Sequence, residues 1–149
     1  MPVAEICNRD VVILKRDDTI LEAAKLMRQH HVGDVLVVEE RGGIRIPVGI
    51  VTDRDLVVEI MAPELDQKVI TVGDIMIREL VTVKESVGVF EAIQYMRGKT
   101  VRRLPIVDEN GGLVGILTLD DLLELLSEEL FAIAKLVKYQ RQKETKHRQ

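Results

Sequence analysis

The chain has no tryptophan and only 3% aromatic residues, so it lacks the stacking surface that holds single-stranded nucleic acid, and its core must come from Val, Ile, Leu, Ala and Met. Cysteine is nearly absent. With Cys7 alone no internal disulfide can form, and a reducing cytoplasm is the expected compartment. No apolar run approaches the roughly 20 residues of a membrane-spanning helix, and the start shows no charged stretch followed by an apolar one of the secretory kind. Neither sign of charge dominates, the formal net charge being −4. Its distribution is uneven: six Lys or Arg against one Glu between Lys135 and Gln149 make a basic end after an acidic body.

What is present is one domain's length, 149 residues of which 46% are hydrophobic, arranged as a repeat. Residues 5–43 fall on 74–112 at a displacement of 69 without a gap: Ile6 on Ile75, Val12 on Val81, Glu22 on Glu91, Met27 on Met96, Val38 on Val107. Gly42-Gly43 then meets Gly111-Gly112, the first copy carries three extra residues around Ile44 to Ile46, and the match resumes at a displacement of 66. There V-G-I-V-T-D-R-D-L (48–56) lies over V-G-I-L-T-L-D-D-L (114–122).

Each copy predicts the same elements. Short β-branched runs, Val11 to Leu14 and Leu80 to Val83, are first strands. Thr19 with Glu22 forms a capping box ahead of a helical stripe, Ile20, Leu21, Ala24 and Met27, that runs to about His30; Gly88, Glu91, Val89, Phe90, Ile93 and Met96 stand in those places later. Hairpins follow, Val35 to Val38 with Val48 to Val51 and Leu104 to Val107 with Leu113 to Leu117, and a last helix opens at Thr52 or Thr118. The expected class is α+β: two strand-helix-strand-strand-helix units, residues 1–60 and 74–126, joined by a linker over 61–73 that holds Pro63 and Gly73. Units of about 60 residues are marginal alone, so the two are expected to pack about an approximate twofold axis. A basic helical extension, 127–149, follows.

The chemistry lies in the phrase G-[IV]-x-T-x-x-D, which leaves a strand and opens a helix at Gly49–Asp55 and again at Gly115–Asp121. Free backbone N–H groups and the positive end of the helix dipole favour an anion there, and a Thr hydroxyl can bond a phosphate oxygen. A carboxylate three residues on can accept from the two hydroxyls of a ribose. The plainer reading is that Thr-x-x-Asp simply caps the helix and needs no ligand.

These paired phrases, with V-R-R-L-P-I-V-D-E-N-G (101–111) and D-I-M followed by V-T-V (74–83), resemble the cystathionine beta-synthase (CBS) family from about residue 3 to 126. The resemblance is to a tandem CBS pair, a Bateman module. It implies clefts between the repeats that take adenosyl ligands such as AMP, ADP, ATP, S-adenosylmethionine or NAD-like dinucleotides, with no catalysis and no metal. It also implies that Asp55 and Asp121 hold ribose, that Thr52 and Thr118 touch phosphate, and that Thr82 and Pro105 lie nearest the adenine. A homodimer shaped as a flat disc, acting on a separate effector protein, is the implied assembly.

The copies differ in charge. Arg54 in the first phrase suits a phosphate, whereas Asp120 in the second would repel one if it pointed inward. Arg102 and Arg103 face Gly33 and Asp34 in the alignment, and strand alternation turns Arg103 away from the core side chains Leu104 and Ile106, toward the ligand. Both are equally readable as solvated surface charges. His30 and His31 are adjacent and cannot face one metal from a single helix face; they read as helix-end residues. Cys7 reads as a small apolar residue, and Met27 and Met96 as core.

Against an enzyme, the sequence lacks a nucleophile with its base, a metal cluster, a P-loop and a Rossmann glycine pattern. Leu122, Leu126, Ile133 and Val137 predict that the last helix runs on past the repeat, to pack on its own module or on a second chain. A ligand-independent interaction module using that helix is the alternative function. Its basic end suits nucleic acid or an anionic surface only weakly, since charge without a recognition motif is commonly a solvated helix end; neither nucleic acid nor a membrane is an expected partner.

Overall fold

Two three-stranded sheets organise the computed structural model, which describes residues 1–148. The first copy contains β1 (Ile13–Leu14), α1 (Ile20–His30), β2 (Asp34–Arg41), β3 (Ile44–Thr52) and α2 (Asp53–Asp55). The second contains α3 (Val72–Ile75), β4 (Val83–Lys84), α4 (Val89–Lys99), β5 (Arg103–Val107), β6 (Leu113–Thr118) and α5 (Leu119–Arg148). In each sheet the short first strand runs parallel to the second, and in the first sheet β3 returns antiparallel to β2. By contacts the chain divides into a unit Met1–Leu117 and a unit beginning at Thr118. The strand-helix-strand-strand-helix order is therefore as expected.

Local chemistry sets the boundaries. Thr19 Oγ1 accepts the Glu22 N–H at 3.2 Å while Glu22 Oε2 accepts the Thr19 N–H at 3.1 Å, so α1 starts on its capping box. Gly88 opens α4 without a side-chain cap. Both helices stop on a left-handed residue at the same repeat position, His31 (φ 54°) and Thr100 (φ 55°), so His31 is a helix-end residue as expected. The first hairpin is longer than expected. The tract between Val38 and Val48 is strand, apart from the Gly42-Gly43 turn, whose φ values of 59° and 81° are those a two-residue hairpin needs. Conversely, the first strands shrink to two residues each.

Val35, Val37 and Val51 pack with Ile20, Ala23 and Met27 of α1, while Leu36 and Ile50 point the other way, against Ile116 of the second sheet. Both faces of β2 are thus covered, as its unbroken apolar run requires. Met27 and Met96 are buried, in line with their core reading.

The segment preceding each copy packs on the other copy. Val72 donates to Asp18 O at 2.8 Å, Ile70 O receives Ile20 N–H at 3.0 Å, and Val72 is wholly buried among first-copy residues. Sixty-nine positions earlier the same bonds recur: Val3 donates to Val87 O at 2.8 Å, and Met1 O receives Val89 N–H at 3.0 Å. Further along, Ile77 N–H donates to Ile50 O at 3.0 Å, and Asn8 exchanges two bonds of 2.9 Å with Ile116. This reciprocity is the twofold relation inside the first unit. It also makes part of residues 61–73, read as a linker, a fastened segment: Gln67 O receives Leu21 N–H at 3.0 Å, and Thr71 pairs with Thr19.

The exchange accounts for the motif glycines. A Cβ on Gly49 would lie 2.5 Å from Met76 Sδ, and one on Gly115 would lie 2.6 Å from Asn8 O and 2.8 Å from Cys7 Sγ. Cys7 occupies the place of Met76 in the repeat, and its partial burial pushes the thiol pKa up, away from thiolate reactivity.

Candidate functional site

The first unit contains a cavity of about 190 Å³ lined by residues from both copies. Ile50 and Thr52 come from β3, Ile77, Glu79, Leu80 and Val81 from the segment between α3 and β4, and Val101, Arg102 and Arg103 from the entry to β5. The Ile77-to-Ile50 hydrogen bond holds that segment beside β3. A second cavity of about 530 Å³ shares Glu79, Leu80, Val81 and Val101 and adds Thr82, Tyr95 and Lys99. Together they offer an apolar slot, hydroxyl groups at Thr52 and Thr82, and cationic side chains.

Thr52 is held by the helix it caps. Its Oγ1 accepts the Asp55 N–H at 3.2 Å, and Asp55 Oδ2 accepts the Thr52 N–H at 2.9 Å. In the second unit Thr118 Oγ1 accepts the Asp121 N–H at 3.1 Å, and Asp121 Oδ2 receives the Thr118 N–H at 3.4 Å. The plainer reading of the phrase, a capping box, is therefore realised twice. It leaves the ligand chemistry intact, because a hydroxyl that accepts one bond can still donate its own proton, and a carboxylate has a second oxygen.

Arg103 has a partner within the chain that the sequence reading did not name. Its Nε bonds Asp34 Oδ2 at 2.5 Å, so the guanidinium is held by the carboxylate at the equivalent position of the first copy and is not simply presented to a ligand. Arginine at one copy and aspartate at the other meet because a twofold relation brings equivalent positions together. Arg103 still lines the cavity. Arg54 is exposed on α2 and lines none of the cavities described, and Pro105, less than 2% exposed within β5, offers no surface to an adenine. Of the lining residues, Ile77 and Glu79 were given no role by the sequence, while Leu80 and Val81 were read as first-strand residues.

Among the described residues no three His, Cys, Asp or Glu side chains converge as a metal site, and no helix is long and apolar enough to cross a membrane.

A pair of interlocked β-α-β-β-α units with capped strand-to-helix phrases is the architecture of a tandem CBS module. The CBS domain family matches residues 3–62 and 72–128, and the chain belongs to that family, whose modules are non-catalytic. Among its relatives, an uncharacterised protein of Methanopyrus kandleri is 40% identical over 123 residues, which cover 83% of this chain and 61% of that one. The CBS domain-containing protein YhcV of Bacillus subtilis is 39% identical over 120 residues, 80% of this chain and 81% of that one. The solved CBS domain pair of protein MJ0100, in complex with 5'-methylthioadenosine and S-adenosyl-L-methionine, is 27% identical, with a TM-score of 0.72 over 87% of this chain and 98% of that one.

Proposed function

We propose that this chain is a regulatory module that binds an adenosyl ligand, AMP, ADP, ATP, S-adenosylmethionine or an NAD-like dinucleotide, in the cleft between its CBS repeats. The observation that carries the reading is the cavity in which apolar Ile50, Ile77, Leu80 and Val81 stand beside Thr52 and Arg103. The apolar slot takes the adenine ring, and the Thr52 hydroxyl and Asp55 carboxylate at the helix start take phosphate and ribose. Thr118 and Asp121 carry the same roles for the second copy, and Thr82 flanks the adjoining cavity. The adenosyl complex of the MJ0100 pair supports the ligand class. The module acts in the cytoplasm as a homodimer and signals to a separate effector protein. A groove of about 520 Å³ along α1 and the helix after Thr52, where Val57 and Met61 are 52% and 70% exposed, supports pairing of modules. Regulation then requires that the ligand favour one arrangement, since equal affinity for both shifts nothing.

Thermal unfolding against AMP, ADP, ATP, S-adenosylmethionine and NAD, with GTP as control, tests the proposal. A true ligand at 100 times its dissociation constant adds about 2.7 kcal/mol. A rise confined to the adenine compounds is expected; no rise with any of them, or an equal rise with GTP, would overturn the ligand class.

A further inference from the structure

The second unit presents an apolar stripe that nothing in its own helix covers. Leu123, Leu126, Leu130, Ile133 and Val137 of α5 are 58%, 41%, 69%, 59% and 43% exposed. Their spacing alternates three and four, the pattern that puts successive side chains along one seam of a helix. The charges along α5 are segregated by sign. Asp120, Asp121, Glu124, Glu128 and Glu129 occupy the first half with no basic residue among them; Lys135, Lys138, Arg141, Lys143 and Lys146 follow, with Glu144 the one acid.

We infer that α5 pairs antiparallel with α5 of a second copy of this chain, with Leu130 at the centre of the seam, Leu123 across from Val137 and Leu126 across from Ile133. The antiparallel sense follows from charge: it lays the acidic half of each helix along the basic half of its partner, whereas a parallel pair would set acid beside acid and base beside base. A second copy is the occupant because the helix is its own electrostatic complement. Nucleic acid would meet the basic half only, and would leave the apolar stripe uncovered. The inference rests on the chain pairing proposed above only in requiring two copies, and it is independent of the ligand.

Cross-linking in a Cys7→Ser background tests it on the full chain, with single cysteines placed on the seam and joined by a short bismaleimide. Leu130→Cys should link to itself, while Leu123→Cys and Val137→Cys should link only when the two variants are mixed. Leu130→Lys should weaken self-association at least tenfold in sedimentation equilibrium. Self-linking of Leu123→Cys and Val137→Cys at the rate of Leu130→Cys would overturn the antiparallel sense. If no variant links and Leu130→Lys still sediments as a dimer, the helix pairing is wrong while module pairing stands; a monomer at all concentrations with the native sequence would overturn both. Protection of the stripe only when nucleic acid is added would also overturn it.

Discussion

The helices that follow the two T-x-x-D phrases begin alike and end very differently. Both open on a Thr and Asp that cap each other. After Thr52 the regular helix lasts from Asp53 to Asp55, then widens over Leu56–Met61, where Ala62 N–H reaches back five residues to Val57 O at 2.9 Å. After Thr118 it runs unbroken from Leu119 to Arg148. The capping box sets where a helix starts; the residues downstream set how far it goes. Val57, Val58 and Ile60 are β-branched and Pro63 closes the first tract, whereas residues 119–148 contain neither Gly nor Pro and are rich in Leu, Glu and Lys. One repeat thus ends in a short helical tract, and its twin in a helix of 30 residues.

The sharpest break of that likeness is at the motif glycines. Gly115→Ala should cost about 2–3 kcal/mol in urea unfolding, because the new Cβ meets the backbone of Asn8, which cannot move without losing its two bonds to Ile116. Gly49→Ala, which meets chiefly the flexible Met76 side chain, should cost less; equal losses would mean the exchanged segments are equally rigid.

Next in size, a double-mutant cycle on Asp34→Ala and Arg103→Ala should return a coupling of about 1 kcal/mol for this half-buried pair, and zero coupling would show the pair to be incidental. In the ligand assay Asp34→Asn should tighten binding of the more highly phosphorylated nucleotides by releasing Arg103, while Arg103→Ala weakens them.

Asp55→Ala and Asp121→Ala should each lose about 1 kcal/mol of stability as caps, and each should also lose ligand at its own copy. Loss of stability with unchanged affinity would leave capping as their sole role. The smallest effect concerns Cys7. Since burial raises its pKa, less thiolate is present at any given pH than in an open peptide, and alkylation at pH 8 should be slower than that of a cysteine placed at the exposed Met61; equal rates would show an open N-terminal segment.

The repeat, the order of elements and the capping boxes were legible in the residues, because each depends on near neighbours: Thr19 reaches Glu22, and Thr118 reaches Asp121; the helical core stripes were legible at Ile20, Met27, Val89 and Met96 but not at Phe90, which is 77% exposed. The CBS resemblance was equally local. The candidate cavity was legible only in part. Of the residues that line it, Thr52 and Arg103 had been named and Leu80 and Val81 read as first strand, while Ile77, Glu79 and the pairing of Arg103 with Asp34 had not been. Pro105 was placed near a ligand although the strand encloses it.

The sequence by itself determined the two copies, their starts and stops, and the charge split along α5, since periodicity, caps and composition act within a few residues. Only the tertiary structure decided that each copy's leading segment lies on the other copy, that Gly49 and Gly115 are required by that close approach, and that residues 69 apart at Asp34 and Arg103 become an ion pair. Those are facts of a twofold relation in space, and no local pattern encodes the distance between symmetry-related positions.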